Sequence, residues 1–92
     1  MCSGIVLDDS SKTDSEFLIY STTRCPYCVG AKRYLTSKGI SFVEIMLDNN
    51  YQKRNDLIME TGHRTVPIIF DLRSGNPIFI GGFDDLLASG VA

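Results

Sequence analysis

Two cysteines between a short apolar run and a helix-forming segment constrain this chain more than any other feature. The run Phe17-Leu18-Ile19-Tyr20 is rich in strand formers, which predicts a strand buried on both faces. Cys25-Pro26-Tyr27-Cys28 follows shortly after it. Pro26 suits the first turn of a helix because its missing N–H would be unpaired there anyway. The sequence therefore predicts two thiols at a point where a strand ends and a helix begins.

From residue 16 onward the chain alternates between strand and helix patterns. After the first strand we expect a helix over 26–38, a strand over 42–47, a helix between the capping residues 48–50 and Gly62, strands over 66–72 and 77–80, and a last helix from residue 83. A right-handed crossover makes the first two strands parallel neighbours, and the turn at 73–76 makes the last two a hairpin. The order β-α-β-α-β-β-α predicts an α/β domain with a four-stranded mixed sheet and helices on both faces.

Residues 1–15 lack this alternation. They are rich in Ser and Asp without an apolar period, which predicts a flexible N-terminal arm before a domain that spans 16–92. Only Ile5-Val6-Leu7 is expected to pack, and Cys2 is expected to be an incidental exposed thiol. The first residues have neither the basic segment nor the long apolar run of a secretion signal.

Composition excludes several classes of function. With 9 basic and 11 acidic side chains, the formal charge of −2 disfavours nucleic acid or an anionic membrane as partner. No apolar run approaches the roughly 20 residues that span a bilayer. Three cysteines are too few for a disulfide-stapled secreted scaffold. We therefore expect a soluble, cytoplasmic protein of one domain, acting as a monomer.

The spacing of Cys25 and Cys28 points to redox chemistry. Cys25 lies at the start of the helix, where unpaired N–H groups, the helix dipole and neighbouring Arg24 favour a thiolate. Cys28 lies one turn further on and is expected to be more buried, so Cys25 is predicted as nucleophile and Cys28 as resolving thiol. Two purely structural thiols are the alternative. A zinc site would need four ligands, and only Cys2 and His63 remain to complete one, so no metal is predicted.

Two further motifs are candidates for binding. In Thr65-Val66-Pro67, a cis peptide bond before Pro67 would leave the backbone of Val66 to pair with a peptide-like substrate, whereas an ordinary edge-strand proline is the alternative. In Gly81-Gly82-Phe83-Asp84, the glycines admit a ligand to the backbone, helix N–H groups favour an anion, and Asp84 could hold an ammonium group. A plain strand-to-helix turn is the alternative there.

Basic side chains near these motifs leave two interpretations open. Lys53, Arg54 and Arg64 either face the same cleft and hold a carboxylate or lie on a solvated face, and for Lys53 the solvated face is favoured. His63 is expected to be an exposed loop residue after the helix end.

Taken together, the motifs resemble the dithiol glutaredoxins. The motifs are Cys25-Pro26-Tyr27-Cys28, Thr65-Val66-Pro67 and Gly81-Gly82-Phe83-Asp84-Asp85-Leu86, and the similarity extends from Phe17 to Leu87. The resemblance implies a thioredoxin-like fold, glutathione as the reducing co-substrate and no tightly bound cofactor. Two positions depart from the family pattern, since Thr22 stands where many members have Lys and Phe83 stands where a further Cys is common.

The resemblance also implies roles for individual positions. Cys25 forms the mixed disulfide with glutathione, and the implied glutathione-binding residues are Tyr27, Arg54, Arg64, Thr65, Val66, Pro67, Gly82, Phe83 and Asp84. Thr65 and Val66 would bond the cysteinyl backbone, Gly82, Phe83 and Asp84 would hold the γ-glutamyl end, and Arg54 and Arg64 would reach the glycine carboxylate.

The predicted function is that of a glutathione-dependent thiol–disulfide oxidoreductase acting on protein disulfides and glutathione mixed disulfides. Its protein partners would be disulfide-containing or glutathionylated proteins, with ribonucleotide reductase a familiar client of the family. Two alternatives remain open: a hydrogen donor recharged by thioredoxin reductase, and a carrier of a glutathione-ligated iron–sulfur cluster.

Overall fold

A four-stranded mixed sheet forms the centre of the computed structural model, which describes residues 4–89. Its strands are β1 (Phe17–Ser21), β2 (Phe42–Met46), β3 (Ile68–Asp71) and β4 (Ile78–Gly81), in the order β2-β1-β3-β4. β1 pairs in parallel with β2 and antiparallel with β3, and β3 pairs antiparallel with β4. The predicted α/β fold, with its parallel crossover and its C-terminal hairpin, is confirmed.

The described part of the chain has four helices around the sheet: α1 (Gly4–Ser11), α2 (Pro26–Ser37), α3 (Tyr51–Thr61) and α4 (Phe83–Ser89). Local capping signals set the ends of α3, because the Asn50 side chain accepts a hydrogen bond from the Lys53 N–H at 3.2 Å and Gly62 adopts φ 73°. Gly39 adopts φ 71° just after α2, a left-handed conformation that glycine accepts without strain and that is typical of a helix end. None of the helices within residues 4–89 is long and apolar enough to cross a membrane.

The two faces of the sheet have separate apolar cores because neighbouring strand residues point in opposite directions. One core joins α2 and α4 to the sheet, and its buried members are Phe17, Ile19, Ala31, Leu35, Ile69 and Leu86. The other joins α1 and α3 to the sheet, and its buried members are Val6, Leu18, Tyr20, Leu47, Leu57, Ile68 and Phe70. Burial of one such large side chain stabilises the fold by about 1.5–3 kcal/mol. Ala31 and Leu35 thereby hold α2 against the sheet, and the cysteine loop lies at the N-terminal end of this helix.

The N-terminal segment differs from its prediction, since residues 4–11 form α1 instead of an irregular arm. Val6 is buried in the core, and the buried Asp9 accepts hydrogen bonds from the Tyr20 hydroxyl at 2.5 Å and from Lys53 Nζ at 2.9 Å. Both partners of Asp9 are distant in sequence, so the local pattern could not reveal them. Cys2 and the side chains of Ile5 and Leu7 lie outside the described residues. The domain boundary at residue 16 stays a prediction.

Candidate active site

Cys25 is the N-cap residue of α2 and has extended backbone dihedrals of φ −123° and ψ 103°. Its Sγ accepts a hydrogen bond from the backbone N–H of Cys28 at 3.2 Å, and as a thiol it donates to the carbonyl oxygen of Val66 at 3.5 Å. An N–H donor at a helix N-terminus stabilises negative charge on sulfur. A thiolate at Cys25, the predicted nucleophile, therefore accepts a hydrogen bond from the Cys28 N–H.

Cys28 lies deeper, with 1% of its surface exposed against 8% for Cys25. Burial raises the pKa of Cys28 to about 12. The hydrogen bond with Cys25 and the nearby charges of Cys25 and Glu44 also raise this pKa, whereas a backbone hydrogen bond from Thr22 lowers it. Cys28 consequently remains a thiol at neutral pH. The two sulfurs thus differ in accessibility and hydrogen bonding in the way the nucleophile and resolving roles require.

The loop between β1 and α2 is tied to the end of β2. The Asp48 carboxylate accepts hydrogen bonds from the Thr23 backbone N–H at 3.1 Å and from the Thr23 hydroxyl at 2.8 Å. Thr23 lies two residues before Cys25, so this double contact restrains the loop from which the nucleophile projects.

The peptide bond between Val66 and Pro67 is cis, as the first of the two interpretations of Thr65-Val66-Pro67 predicted. The register of β3 with β1 begins at Ile68, opposite Tyr20, so Val66 precedes the ladder. The carbonyl of Val66 faces Cys25 Sγ instead. A peptide backbone that reaches Cys25 therefore meets the backbone of Val66.

A cleft of about 270 Å³ opens beside these residues. Its lining consists of Tyr27, His63, Thr65, Val66, Pro67, Gly82, Phe83, Asp84 and Asp85. Seven of the nine residues that the family resemblance implied for glutathione binding are among them; the two that are not are Arg54 and Arg64. The fold therefore brings the segment around cis-Pro67 and the Gly82-Phe83-Asp84 segment to one cleft.

The basic side chains occupy three different places. Arg54 lines a second cavity of about 390 Å³, together with Thr22 and Tyr51, and Arg64 is exposed. Lys53 points away from the cleft, since its Nζ binds Asp9 and lies 5.8 Å from the centre of the Tyr20 ring. The favoured interpretation of Lys53 as part of a solvated face is wrong, because the ammonium group is paired against α1.

Comparison with known proteins leads to the same interpretation as the geometry of the two cysteines and the cleft. The family model described as Glutaredoxin matches residues 17–72. The chain belongs to the glutaredoxin family. It is 47% identical to Glutaredoxin 3 of Escherichia coli over 70 residues, which cover 76% of this chain and 80% of that protein.

Solved structures of glutaredoxins have the same fold as this chain. The crystal structure of wheat glutaredoxin matches with a TM-score of 0.73 and 32% identity, over 91% of this chain and 82% of the wheat chain. A buckwheat glutaredoxin–glutathione complex shares the fold, with a TM-score of 0.73 and 24% identity over 95% of this chain and 84% of that one. This family member is accordingly a glutathione-dependent thiol–disulfide oxidoreductase, and the predicted fold class and enzyme class are confirmed.

Two cleft residues were missed by the sequence reasoning. His63, predicted as an exposed loop residue, is half-buried in the cleft wall, with Nε2 3.2 Å from the Thr65 hydroxyl and its ring edge-on to Phe79. The available signal was its spacing of two from Thr65, because alternate residues of an extended segment share a side. Asp85 accepts a hydrogen bond from the Gly82 N–H at 2.9 Å, which shapes the turn into α4.

Proposed function

We propose that this protein reduces glutathione mixed disulfides and protein disulfides with Cys25 as nucleophile and Cys28 as resolving thiol. The observation that supports these roles is the contrast between the two sulfurs. Cys25 Sγ receives a helix N–H at 3.2 Å and is the more accessible sulfur, whereas burial holds the pKa of Cys28 far above neutral.

Reduction of a glutathione mixed disulfide needs Cys25 alone. The Cys25 thiolate attacks the glutathionyl sulfur, the substrate S–S bond breaks, and the released substrate thiolate takes a proton from water. A second glutathione thiolate then attacks the glutathionyl sulfur held on Cys25. Glutathione disulfide leaves and the Cys25 thiolate is restored, stabilised again by the Cys28 N–H.

Reduction of a protein disulfide uses both cysteines. Cys25 forms a mixed disulfide with one substrate sulfur, and the Cys28 thiol, one helical turn away, gives up its proton as it attacks Cys25 Sγ. The other substrate sulfur has already left as a thiolate when Cys25 attacked, and it takes a proton from water. The substrate sulfur held on Cys25 now leaves with the proton from Cys28 as a thiol, and a Cys25–Cys28 disulfide remains. Two glutathione molecules then reduce this disulfide and leave as glutathione disulfide, so electrons and protons balance.

Glutathione is proposed to lie in the cleft with its cysteinyl sulfur toward Cys25. Thr65 and Val66 would pair with the cysteinyl backbone beside Pro67, while Tyr27 covers it as an exposed ring of the cleft wall. Gly82, Phe83 and Asp84 would hold the γ-glutamyl end, with the Asp84 carboxylate facing the ammonium group. Arg54, which lines the second cavity together with Thr22, and the exposed Arg64 would reach the glycine carboxylate. The buckwheat glutaredoxin, which shares this fold, was crystallised as a complex with glutathione.

The proposed clients are disulfide-containing or glutathionylated proteins, including ribonucleotide reductase. We further propose that the protein acts as a monomer in the cytoplasm, where a glutathione pool can reduce it. Glutathione-dependent turnover of purified ribonucleotide reductase would support that client, and failure to reduce its disulfide would exclude it. A single peak at about 10 kDa in size-exclusion chromatography is expected, in line with the chain mass of 10.2 kDa.

The decisive experiment compares Cys25→Ser and Cys28→Ser, with Cys2→Ser as a thiol control. Turnover of a glutathionylated peptide and of a disulfide-bonded protein is measured with glutathione, glutathione reductase and NADPH. Cys25→Ser should lose both activities, and Cys28→Ser should keep the first and lose the second. Equal loss of both in Cys28→Ser, or activity in Cys25→Ser, would contradict the assigned roles.

A further inference from the structure

We propose that the second cavity binds the segment of a protein substrate that follows its reactive cysteine, and that Arg54 selects an acidic side chain there. This inference rests on the proposed reduction of protein disulfides by Cys25 and names the class of protein segment that the site favours. It depends on three observations: the place of the second cavity beside Cys25, the charge of Arg54, and the opposite charge of the cleft.

The second cavity and the cleft lie on opposite sides of β1. The sheet order β2-β1-β3-β4 places β2 on one side of β1 and β3 on the other. Leu47 and Asp48, which follow β2, line the second cavity. Val66 and Pro67, which precede β3, line the cleft. Cys25 follows β1, so a polypeptide whose cysteine reaches Cys25 has the cleft on one side and the second cavity on the other.

The direction of binding follows from the proposed placement of glutathione. Its γ-glutamyl end would lie in the cleft and its glycine would point toward Arg54, so a protein bound in the same direction places the residues after its cysteine in the second cavity. An aspartate directly after the cysteine has its carboxylate only one bond further from the Cα atom than the glycine of glutathione has. A cysteine followed by an acidic residue therefore presents Arg54 with nearly the same group as glutathione.

Arg54 brings a positive charge without a partner into the second cavity. Among the described residues 4–89, its guanidinium takes part in no ion pair and no side-chain hydrogen bond. It is half-buried on the first turn of α3, where the positive end of the helix dipole adds to its charge. Asp48 in the same cavity already accepts hydrogen bonds from the Thr23 backbone N–H and hydroxyl. A planar guanidinium with five N–H donors is suited to the carboxylate of a ligand.

The cleft on the other side of Cys25 carries the opposite charge. Asp84 and Asp85 line it, so an acidic residue before the substrate cysteine would be repelled. An acidic side chain is thus favoured after the cysteine and disfavoured before it. Tyr51, which is 77% exposed and lines the second cavity, adds an aromatic surface of the kind that is enriched at protein interfaces.

The test measures how strongly Cys25 holds different peptides in a mixed disulfide. Combining Cys2→Ser with Cys28→Ser leaves Cys25 as the single thiol of the protein. Its mixed disulfide with 2-mercaptoethanol is equilibrated with a peptide thiol, and the exchange gives the protein–peptide disulfide and free 2-mercaptoethanol. The peptides are acetyl-Ala-Cys-Asp-Ala-amide, its Asn and Lys counterparts, and acetyl-Ala-Asp-Cys-Ala-amide with its Asn counterpart. Intact-mass spectrometry gives each equilibrium constant.

The same peptides are then measured on Arg54→Gln, on Arg54→Glu and on Lys38→Gln, each in the single-thiol protein. Lys38→Gln is the control, because it removes one positive charge at an exposed residue at the other end of α2. Differences in the intrinsic reactivity of the peptide thiols cancel when the ratio of the Asp to the Asn constant is compared between proteins. Thermal melts verify that every variant is folded.

The ratio for Asp after the cysteine should be about three- to fivefold higher with Arg54 than in Arg54→Gln, as expected for a partly exposed ion pair. Arg54→Glu should lower the ratio further, Lys38→Gln should leave it unchanged, and 0.5 M salt should reduce the effect of Arg54. The peptide with Asp before the cysteine should bind more weakly than its Asn counterpart, whether or not Arg54 is present.

Two results would overturn the role of Arg54. One is an Asp-to-Asn ratio that is the same in all variants, and the other is a preference for the Lys peptide, in which case Asp48 would dominate the second cavity. If glutathione forms a mixed disulfide with Cys25 and either result is found, this inference fails and the proposed function stands. If neither glutathione nor any peptide exchanges onto Cys25 of the folded protein, both are refuted.

Discussion

The ring of Phe83 packs against the position of Gly30 on helix α2. A Cβ added to Gly30 would be 3.0 Å from Cε2 and 3.1 Å from Cζ of this ring, closer than ordinary van der Waals contact. Phe83 also lines the cleft, at the position where many glutaredoxins have a small cysteine side chain. The missing side chain at Gly30 therefore makes room for a large aromatic residue in the cleft.

We expect Gly30→Ala to displace Phe83. Alanine favours a helix over glycine by up to about 1 kcal/mol, but the clash with the ring costs a similar amount, so the free energy of unfolding should change little. In the Phe83→Ala background the same change should stabilise the fold by about 0.5–1 kcal/mol, since the ring is gone. Urea denaturation of the four proteins measures the coupling. Equal effects of Gly30→Ala in both backgrounds would show that the two residues do not interact.

The buried state of Cys28 predicts selective alkylation. Because its pKa is raised to about 12, Cys28 should stay protonated and unreactive throughout pH 6–9, whereas the more accessible Cys25 Sγ should react. Iodoacetamide treatment of the reduced protein followed by peptide mass spectrometry should find label on Cys25 and very little on Cys28. Unfolding in urea should expose Cys28 to the reagent. Comparable labelling of both cysteines in the folded protein at pH 7 would contradict this prediction.

The ion pair between Lys53 on α3 and Asp9 on α1 should help to hold α1 against the domain. Lys53→Met removes the ammonium partner of a buried carboxylate, and we expect a loss of about 1–3 kcal/mol in the free energy of unfolding. Turnover with glutathione should be unaffected because Lys53 points away from the cleft. The control is Lys38→Met, at an exposed residue that ends α2, which should stay within about 0.5 kcal/mol of the wild type. Equal effects of the two substitutions would exclude a specific role for the ion pair.

Ser21, Lys32 and Glu44 form a polar cluster beside α2, and its contribution to the stability of the fold should depend on pH. Burial would raise the pKa of Glu44, but hydrogen bonds from Ser21 and Lys32, with the charge of Lys32, lower it overall. A carboxyl group whose folded pKa lies below its unfolded value of about 4.3 stabilises the fold above that pH. Its contribution is lost as the pH falls through the folded pKa.

Lys32→Met should therefore lower the free energy of unfolding at pH 7 by about 0.5–1 kcal/mol, because the Lys32–Glu44 pair is partly exposed to solvent. The difference from the wild type should shrink as the pH is lowered through 4 toward 3. Urea denaturation at pH 7, 5 and 3 measures both values. A difference that stays constant across this range would show that Lys32 acts through packing and not through the charge of Glu44.

The sequence by itself determined the order of the elements from β1 onward, the start of α2, both ends of α3 and the pair of thiols. These features depend on short-range physical rules, such as the missing N–H of Pro26 in the first turn of α2, the side-chain cap at Asn50 and the left-handed glycine at 62. A chain segment of a few residues contains all the information that each rule needs. Helix α1 escaped these rules because its stability comes from burial of Val6 and from the partners of Asp9.

Only the tertiary structure decided which side chains meet. Cys25 and Val66 are 41 residues apart, and their contact exists because β3 lies beside β1 in the sheet. The family resemblance nominated Arg54 and Arg64 for glutathione binding, whereas residue type left their place open. The packing of α3 directs Lys53 to Asp9 and Arg54 to the second cavity, and the segment after Gly62 brings His63 to the cleft wall. Such contacts depend on how segments that are distant in sequence pack against one another. A local sequence pattern contains no information about that packing.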